Sequence, residues 1–86
     1  MEDIKVKYSE LQIGDIIYWY GALVRIISIN RVNTDKGSCT YFEIEPYNDE
    51  SIKILGKFYA HGSYGGVDWL EVHKVINEGD ITPLIN

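Results

Sequence analysis

Two runs rich in β-branched and aromatic residues, Asp15–Tyr20 and Ala22–Val32, are separated by Gly21 alone. No other feature restricts the fold of this chain as much. Such side chains favour extended backbone, and one glycine leaves room only for a tight hairpin or a bulged corner. The second run contains five Ile or Val. Strict alternation puts Leu23, Ile27 and Ile29 on one face and Val24 and Ile26 on the other. A strand apolar on both faces is central in its sheet or curls between two layers of a barrel.

The rest of the chain punctuates itself in the same way. Asn33–Ser38 is polar, and Asp35-Lys36-Gly37 signals a loop. Thr40–Tyr47 alternates, with Phe42 and Ile44 facing one way and Tyr41, Glu43, Glu45 and Tyr47 the other. Across Asp49–His61, Ile52, Leu55, Phe58 and Tyr59 recur at helical spacing, and Asp49 and Glu50 suit a helix N-terminus. This favours a short helix capped by Gly62; against it, Gly56 in its middle costs about 1 kcal/mol, and the alternation of Ile52 and Ile54 leaves a strand as the alternative. Ser63–Gly66 reads as a glycine loop. Val67–Ile76 reads as a strand with Leu70 and Val72 on one face and Trp69 and Val75 on the other. Asn77–Asp80 turns the chain into a last strand, Ile81–Ile85, which Pro83 confines to an edge.

Eighty-six residues predict one domain, 1–86, with a single core. Thirteen acids against eight bases give a net charge of −5, the wrong sign for gripping duplex nucleic acid, and Arg25 and Arg31 are the only arginines. Cys39 is the sole cysteine, so an internal disulfide is excluded. Met1–Lys7 is charged and lacks the apolar core of a secretory leader. No apolar run approaches the ~20 residues of a membrane helix. The expected location is the cytoplasm. Seven Tyr and two Trp exceed what so small a core needs, which predicts an aromatic contact surface and a homo-oligomer.

Short strands at regular intervals plus one helix predict a mainly β (α+β) fold, a small and strongly bent five-stranded barrel or half-barrel. The opening carries a resemblance. Tyr8-x-x-Leu11-x-Ile13-Gly14-Asp15-Ile16-Ile17-Tyr18, then Gly21, then Val24-x-Ile26-x-x-Ile29, resembles the first hairpin of SH3-like barrels. It is also similar to small barrel proteins carried by bacteriophages and mobile elements of gut bacteria. The resemblance covers the first third of the chain. It implies an SH3-like barrel, and in a phage-borne protein it implies sequestration of a nucleotide signal used in host defence.

Two surfaces stand out. In Gly56–Trp69, aromatic rings, a His, a Ser and several glycines gather within one short stretch. Rings suit stacking on a base, and glycine N–H groups can hold an anion. The candidate ligand set is Tyr18, Trp19, Tyr59, Tyr64 and Trp69 for stacking, with Arg25, Lys57, His61, Ser63, Gly65 and Gly66 for polar groups. The plainer reading is a connector whose rings complete the core. The second surface interleaves acids with tyrosines: Tyr41, Glu43, Glu45, Tyr47, Asp49 and Glu50. It predicts an interaction module that blocks a basic partner such as a nuclease, against the plainer reading of a solubilising face.

Chemistry is not expected. His61 and His73 with one Cys make no zinc set, no nucleophile elbow is present, and pairs such as Asp68/Glu71 suit solvated turns. The sequence therefore predicts a binding protein without enzymatic activity, metal or cofactor. Its expected ligand is a nucleotide-like small molecule.

Overall fold

The computed structural model describes residues 2–76. Six strands form one antiparallel sheet: β1 (Asp3–Lys7), β2 (Ile16–Trp19), β3 (Ala22–Thr34), β4 (Gly37–Pro46), β5 (Ser63–Val67) and β6 (Glu71–Val75). One helix, α1 (Asp49–Ala60), joins β4 to β5. Among the described residues the strand order is β1-β6-β2-β3-β4-β5, with β1 and β5 at the edges. The mainly β class agrees with the sequence, but the described residues alone hold six strands, against five expected for the whole chain, and among them no ladder closes β5 onto β1. Only Asp68–Leu70 separate β5, at one end of this order, from β6, near the other, so the sheet curls back on itself. Tyr8 and Ser9, in the 3-10 turn after β1, donate their amides to Leu70 and Asp68 in the β5–β6 turn, at 2.8 and 3.3 Å.

The central hairpin forms where expected, with one change of face. Ile26 pairs with Ile44 and Ser28 with Glu43, leaving Ile27 as the extra residue of a β-bulge. A bulge reverses the alternation beyond it. Val24, Ile26 and Ile29 therefore share the core side, while Ile27 is 43% exposed, which corrects the strict alternation of the sequence reading. On β4, Thr40, Phe42 and Ile44 face the same core.

Leu11, Ile17, Val24, Ile26, Phe42 and Ile44 are buried together with Val6, Tyr8 and Val72. Each such apolar side chain contributes roughly 1.5–3 kcal/mol on leaving water. Upstream, Gly14 (φ 96°) sits third in the turn closed by Asp15 N–H donating to Gln12 O, where positive φ is needed. Lys74 Nζ lies 3.3 Å from Asp15 Oδ1, tying that turn to β6.

Three expected loops or strands differ. The polar stretch 33–38 stays in the β3–β4 ladder, and only Asp35 and Lys36 turn between the Thr34↔Gly37 pair. Polar residues serve a ladder as well as apolar ones where both faces are wet, and Gly37 (φ 123°) provides the bend. The expected glycine loop 63–66 is strand β5. The expected strand 67–76 is broken at Asp68–Leu70, where Leu70 N–H donates to Val67 O at 3.1 Å, and resumes as β6. The added strand, β1, buries one side chain, Val6, which is too weak an alternation to mark a strand in sequence.

Helix α1 begins at an Asn48 cap, whose Oδ1 accepts from Ser51 N–H at 3.0 Å. The buried Ser51 hydroxyl reaches back to the Leu23 carbonyl and so fixes the helix on β3. Gly56 (φ 82°, ψ 151°) is not helical and kinks the element. The expected apolar stripe consequently splits: Leu55 packs on the core, while Phe58 and Tyr59 are 81% and 60% exposed. The cap is His61 at φ −118°, not Gly62. The turn 77–80 and the strand 81–85 read from sequence lie outside the described residues.

Candidate functional site: an aromatic groove beside the hairpin tip

The β2–β3 hairpin turns through Tyr20 and Gly21, with φ of 50° and 85°. Positive φ at both central residues is the two-residue hairpin turn that matches strand twist, and its first position favours Asn, Asp or Gly. A tyrosine there is strained, and its ring is 81% exposed. Beside it, Trp19 is the hub of an aromatic cluster. Its ring lies edge-on to Tyr20 at 5.2 Å and to Phe42 at 5.4 Å, and tilts against Tyr64 at 5.0 Å.

Tyr64 is not at a loop tip. It stands on β5 opposite Phe42, half-buried, and its hydroxyl donates to the Tyr59 carbonyl at 3.0 Å. This bond ties the kinked end of α1 to the sheet. The Tyr64 ring also covers Gly62, where any Cβ would fall 2.5 Å from it.

Trp19, Tyr20, Ile54, Leu55, Tyr59 and Tyr64 line one pocket of about 380 Å³. That lies within the size range of small-ligand pockets. No lining residue carries a formal charge. The Trp19 indole Nε1 is buried without an acceptor. An unsatisfied buried donor costs about 1–3 kcal/mol. A second, shallower hollow of about 290 Å³ lies where Trp19 and Tyr20 meet Tyr8, Tyr18, Glu71 and His73. Burial pushes the Tyr8 phenol above its ordinary pKa, and Tyr20 adds to the rise.

Of the ligand residues read from sequence, Trp19, Tyr59 and Tyr64 meet in the groove, and Tyr18 lines the neighbouring hollow. The remainder lie elsewhere or do other work. Arg25 pairs with Glu45 at 3.2 Å and lies over the Tyr47 ring at 5.7 Å. Lys57 and His61 are exposed at the end of α1, Ser63 lines a separate hollow beside Phe42, and Trp69 is 70% exposed in the β5–β6 turn. Gly65 and Gly66 belong to β5 rather than to an anion nest. Gly65 is needed because Thr40 O and the Tyr41 ring leave no room for a Cβ, and Leu70 crowds Gly66.

The ligand set read from sequence left out Tyr20, Ile54 and Leu55. The signal for Leu55 was available, since Leu55 and Tyr59 stand four apart on the helix; for Tyr20 it was the adjacent Gly21.

In the acidic, tyrosine-rich set, Tyr41, Glu43 and Glu45 alternate with the buried Thr40, Phe42 and Ile44 and so share the outer face of β4. Tyr41 and Glu43 are exposed on β4, with Glu43 accepting from Ser28 Oγ at 3.0 Å. Glu45 and Tyr47 are engaged by Arg25, and Asp49 and Glu50 lie on the first turn of α1.

Across the sheet a polar knot holds the opposite corner. Arg31 Nη1 donates to Thr40 Oγ1 at 2.7 Å and to Tyr8 O at 3.3 Å, and its Nη2 donates to Leu11 O at 2.6 Å. The Thr40 hydroxyl, fully buried, in turn donates a hydrogen bond to Asp68 Oδ1 at 2.8 Å. Asp68 is thus a structural partner of Thr40.

Among the described residues no three His, Cys, Asp or Glu side chains gather as a metal site, and no helix is long and apolar enough to cross a membrane. No protein-family model, curated protein or solved structure matches this chain.

Proposed function

We propose that this is a non-enzymatic binding protein whose groove stacks on the planar ring of a nucleotide-like ligand. One observation carries the reading: Trp19, Tyr20, Tyr59 and Tyr64, from three separate elements, line a single pocket. Rings converging from distant parts of the chain suit base stacking, which is worth about 1–3 kcal/mol per base. The strained Tyr20 and the unpaired Trp19 N–H support it, because strain and orphaned donors concentrate where a ligand completes the site. The groove lacks charge, so the base, rather than a phosphate, supplies most of the affinity. The bent, open sheet supports an SH3-like half-barrel. If the chain is phage-borne, its role is to withdraw a nucleotide signal from the host.

The test is fluorescence titration of a Trp69→Phe protein, in which Trp19 is the only indole. A panel of nucleosides, nucleoside monophosphates and cyclic nucleotides is used. At least one is expected to quench Trp19 at micromolar concentration, with nucleoside and nucleotide forms of one base differing little. Tyr59→Ala is expected to weaken binding about tenfold or more. Silence across the panel at tens of micromolar protein overturns the proposal.

A further inference from the structure

The two edges of the sheet are built differently. β1 reads Asp3-Ile4-Lys5-Val6-Lys7, and charges on an edge strand discourage pairing with other strands. β5 reads Ser63-Tyr64-Gly65-Gly66-Val67 and carries no charge. Its register fixes which backbone groups are open. Ile44 N–H donates to Gly62 O at 2.9 Å, and Asp68 N–H to Ser38 O at 3.0 Å. Both belong to the closely bonded pairs of the β4–β5 ladder, and such pairs alternate with open ones. Tyr64 and Gly66 therefore bond to β4. Ser63, Gly65 and Val67 turn their amides away from it, towards an edge that no described strand covers.

We propose that β5 pairs antiparallel with β5 of a second copy of this chain, about a two-fold axis through Gly65. Gly65 then faces its own image and exchanges both N–H···O bonds with it. Val67 N–H meets the carbonyl of the second copy's Ser63. The surroundings favour a second copy over an unrelated strand, because an isologous contact sets residues near the axis beside themselves and charge there is repulsive. Along the paired stretch of β4, Cys39–Glu43, the one charged residue is Glu43, opposite Ser63. In the antiparallel arrangement the two Glu43 side chains lie at opposite ends of the contact. Nearest the axis is Tyr41, 44% exposed, whose ring covers Gly65 and so meets its own image.

A five-residue strand pair alone falls short of the ~1,000 Å² a stable interface needs. Tyr41 on β4 and Trp69 just after β5 are 44% and 70% exposed. Four such rings in the dimer, each able to bury up to ~150–250 Å² when fully covered, supply the difference.

The full-length chain is tested by sedimentation equilibrium from low to high micromolar concentration, with amide hydrogen exchange on the same samples. The expected result is a dimer in which the Gly65 amide exchanges at least about tenfold more slowly as concentration rises, while Tyr64 and Gly66 are slow throughout. Tyr41→Lys, on an exposed site, is expected to give a folded monomer with fast Gly65 exchange, and Tyr41→Phe to remain dimeric. A wild-type monomer at every concentration overturns the proposal. So does a Tyr41→Lys protein as dimeric as wild type, or Gly65 protection that is independent of concentration and vanishes when residues 77–86 are removed. The last result would assign the edge to the chain's own C-terminal segment.

Discussion

Two corners of this small sheet solve the same packing problem in opposite ways. At one, Arg31, Thr40 and Asp68 use donors and acceptors from β3, β4 and the β5–β6 turn to close the core. At the other, Trp19 has a buried N–H with no acceptor, Tyr20 has a backbone that costs energy, and apolar side chains from α1 stand open. The satisfied corner holds the fold together, and the unsatisfied one is where the proposed ligand would dock. The difference teaches that the functional reading of a small domain rests on where its polar accounting fails to close, more than on where its rings are most numerous.

The comparison can be broken first at Phe42, which touches both corners through edge-on contacts with Tyr8 and Trp19 at 5.4 Å each. Phe42→Ala is expected to cost about 3–5 kcal/mol, enough to unfold much of the population, as read by urea titration. Thr40→Val, a change of similar shape, should cost about 1–3 kcal/mol, because it leaves Arg31 Nη1 and Asp68 without their shared hydroxyl. If the corners are independent, the denaturation midpoint falls while Trp19 responds to ligand as before. A Thr40→Val protein of unchanged stability would show that water replaces the hydroxyl and that the knot is dispensable. Tyr59→Ala tests the opposite corner. Tyr59 lends only its backbone carbonyl to Tyr64, so stability should move by under about 0.5 kcal/mol while ligand affinity falls.

The smallest effect is alkaline. The raised Tyr8 phenol, held up by burial and then by Tyr20, keeps its proton longer in the folded than in the unfolded chain. Its contribution is present in full below the unfolded tyrosine pKa and is lost as pH rises through the folded one. Tyr8→Phe should therefore flatten the stability loss above about pH 10, measured by thermal melts in alkaline buffers.

Much of the fold was legible in the sequence because local rules agreed with tertiary packing. The Gly21 hairpin, the alternation of β4 and the helix start after Asn48 rest on propensity and period. The face assignment of β3 was not legible, because a bulge at Ile27 leaves no mark in a run that is apolar on both sides. Nor was β5, because glycine next to glycine reads as loop until the Tyr41 ring is seen to occupy the space of the missing Cβ. The groove was half-legible. Trp19, Tyr59 and Tyr64 were found as aromatic residues, but the kink at Gly56, between Leu55 on the core and the exposed Tyr59 that line the pocket together, depends on a backbone conformation. Arg25, chosen from sequence for its charge, is not among the groove's lining residues and instead meets a carboxylate and a ring of its own chain.

The strand order also governs how the chain is made. β3 and β4 join through two residues and find each other early, since short loops close at little entropic cost. β6 lies between β1 and β2. During synthesis, therefore, β1 waits for β6, which is made after the other described strands, and the edge of β2 stays bare meanwhile. The charges of β1 then protect the nascent chain, at a stage when its partner does not yet exist.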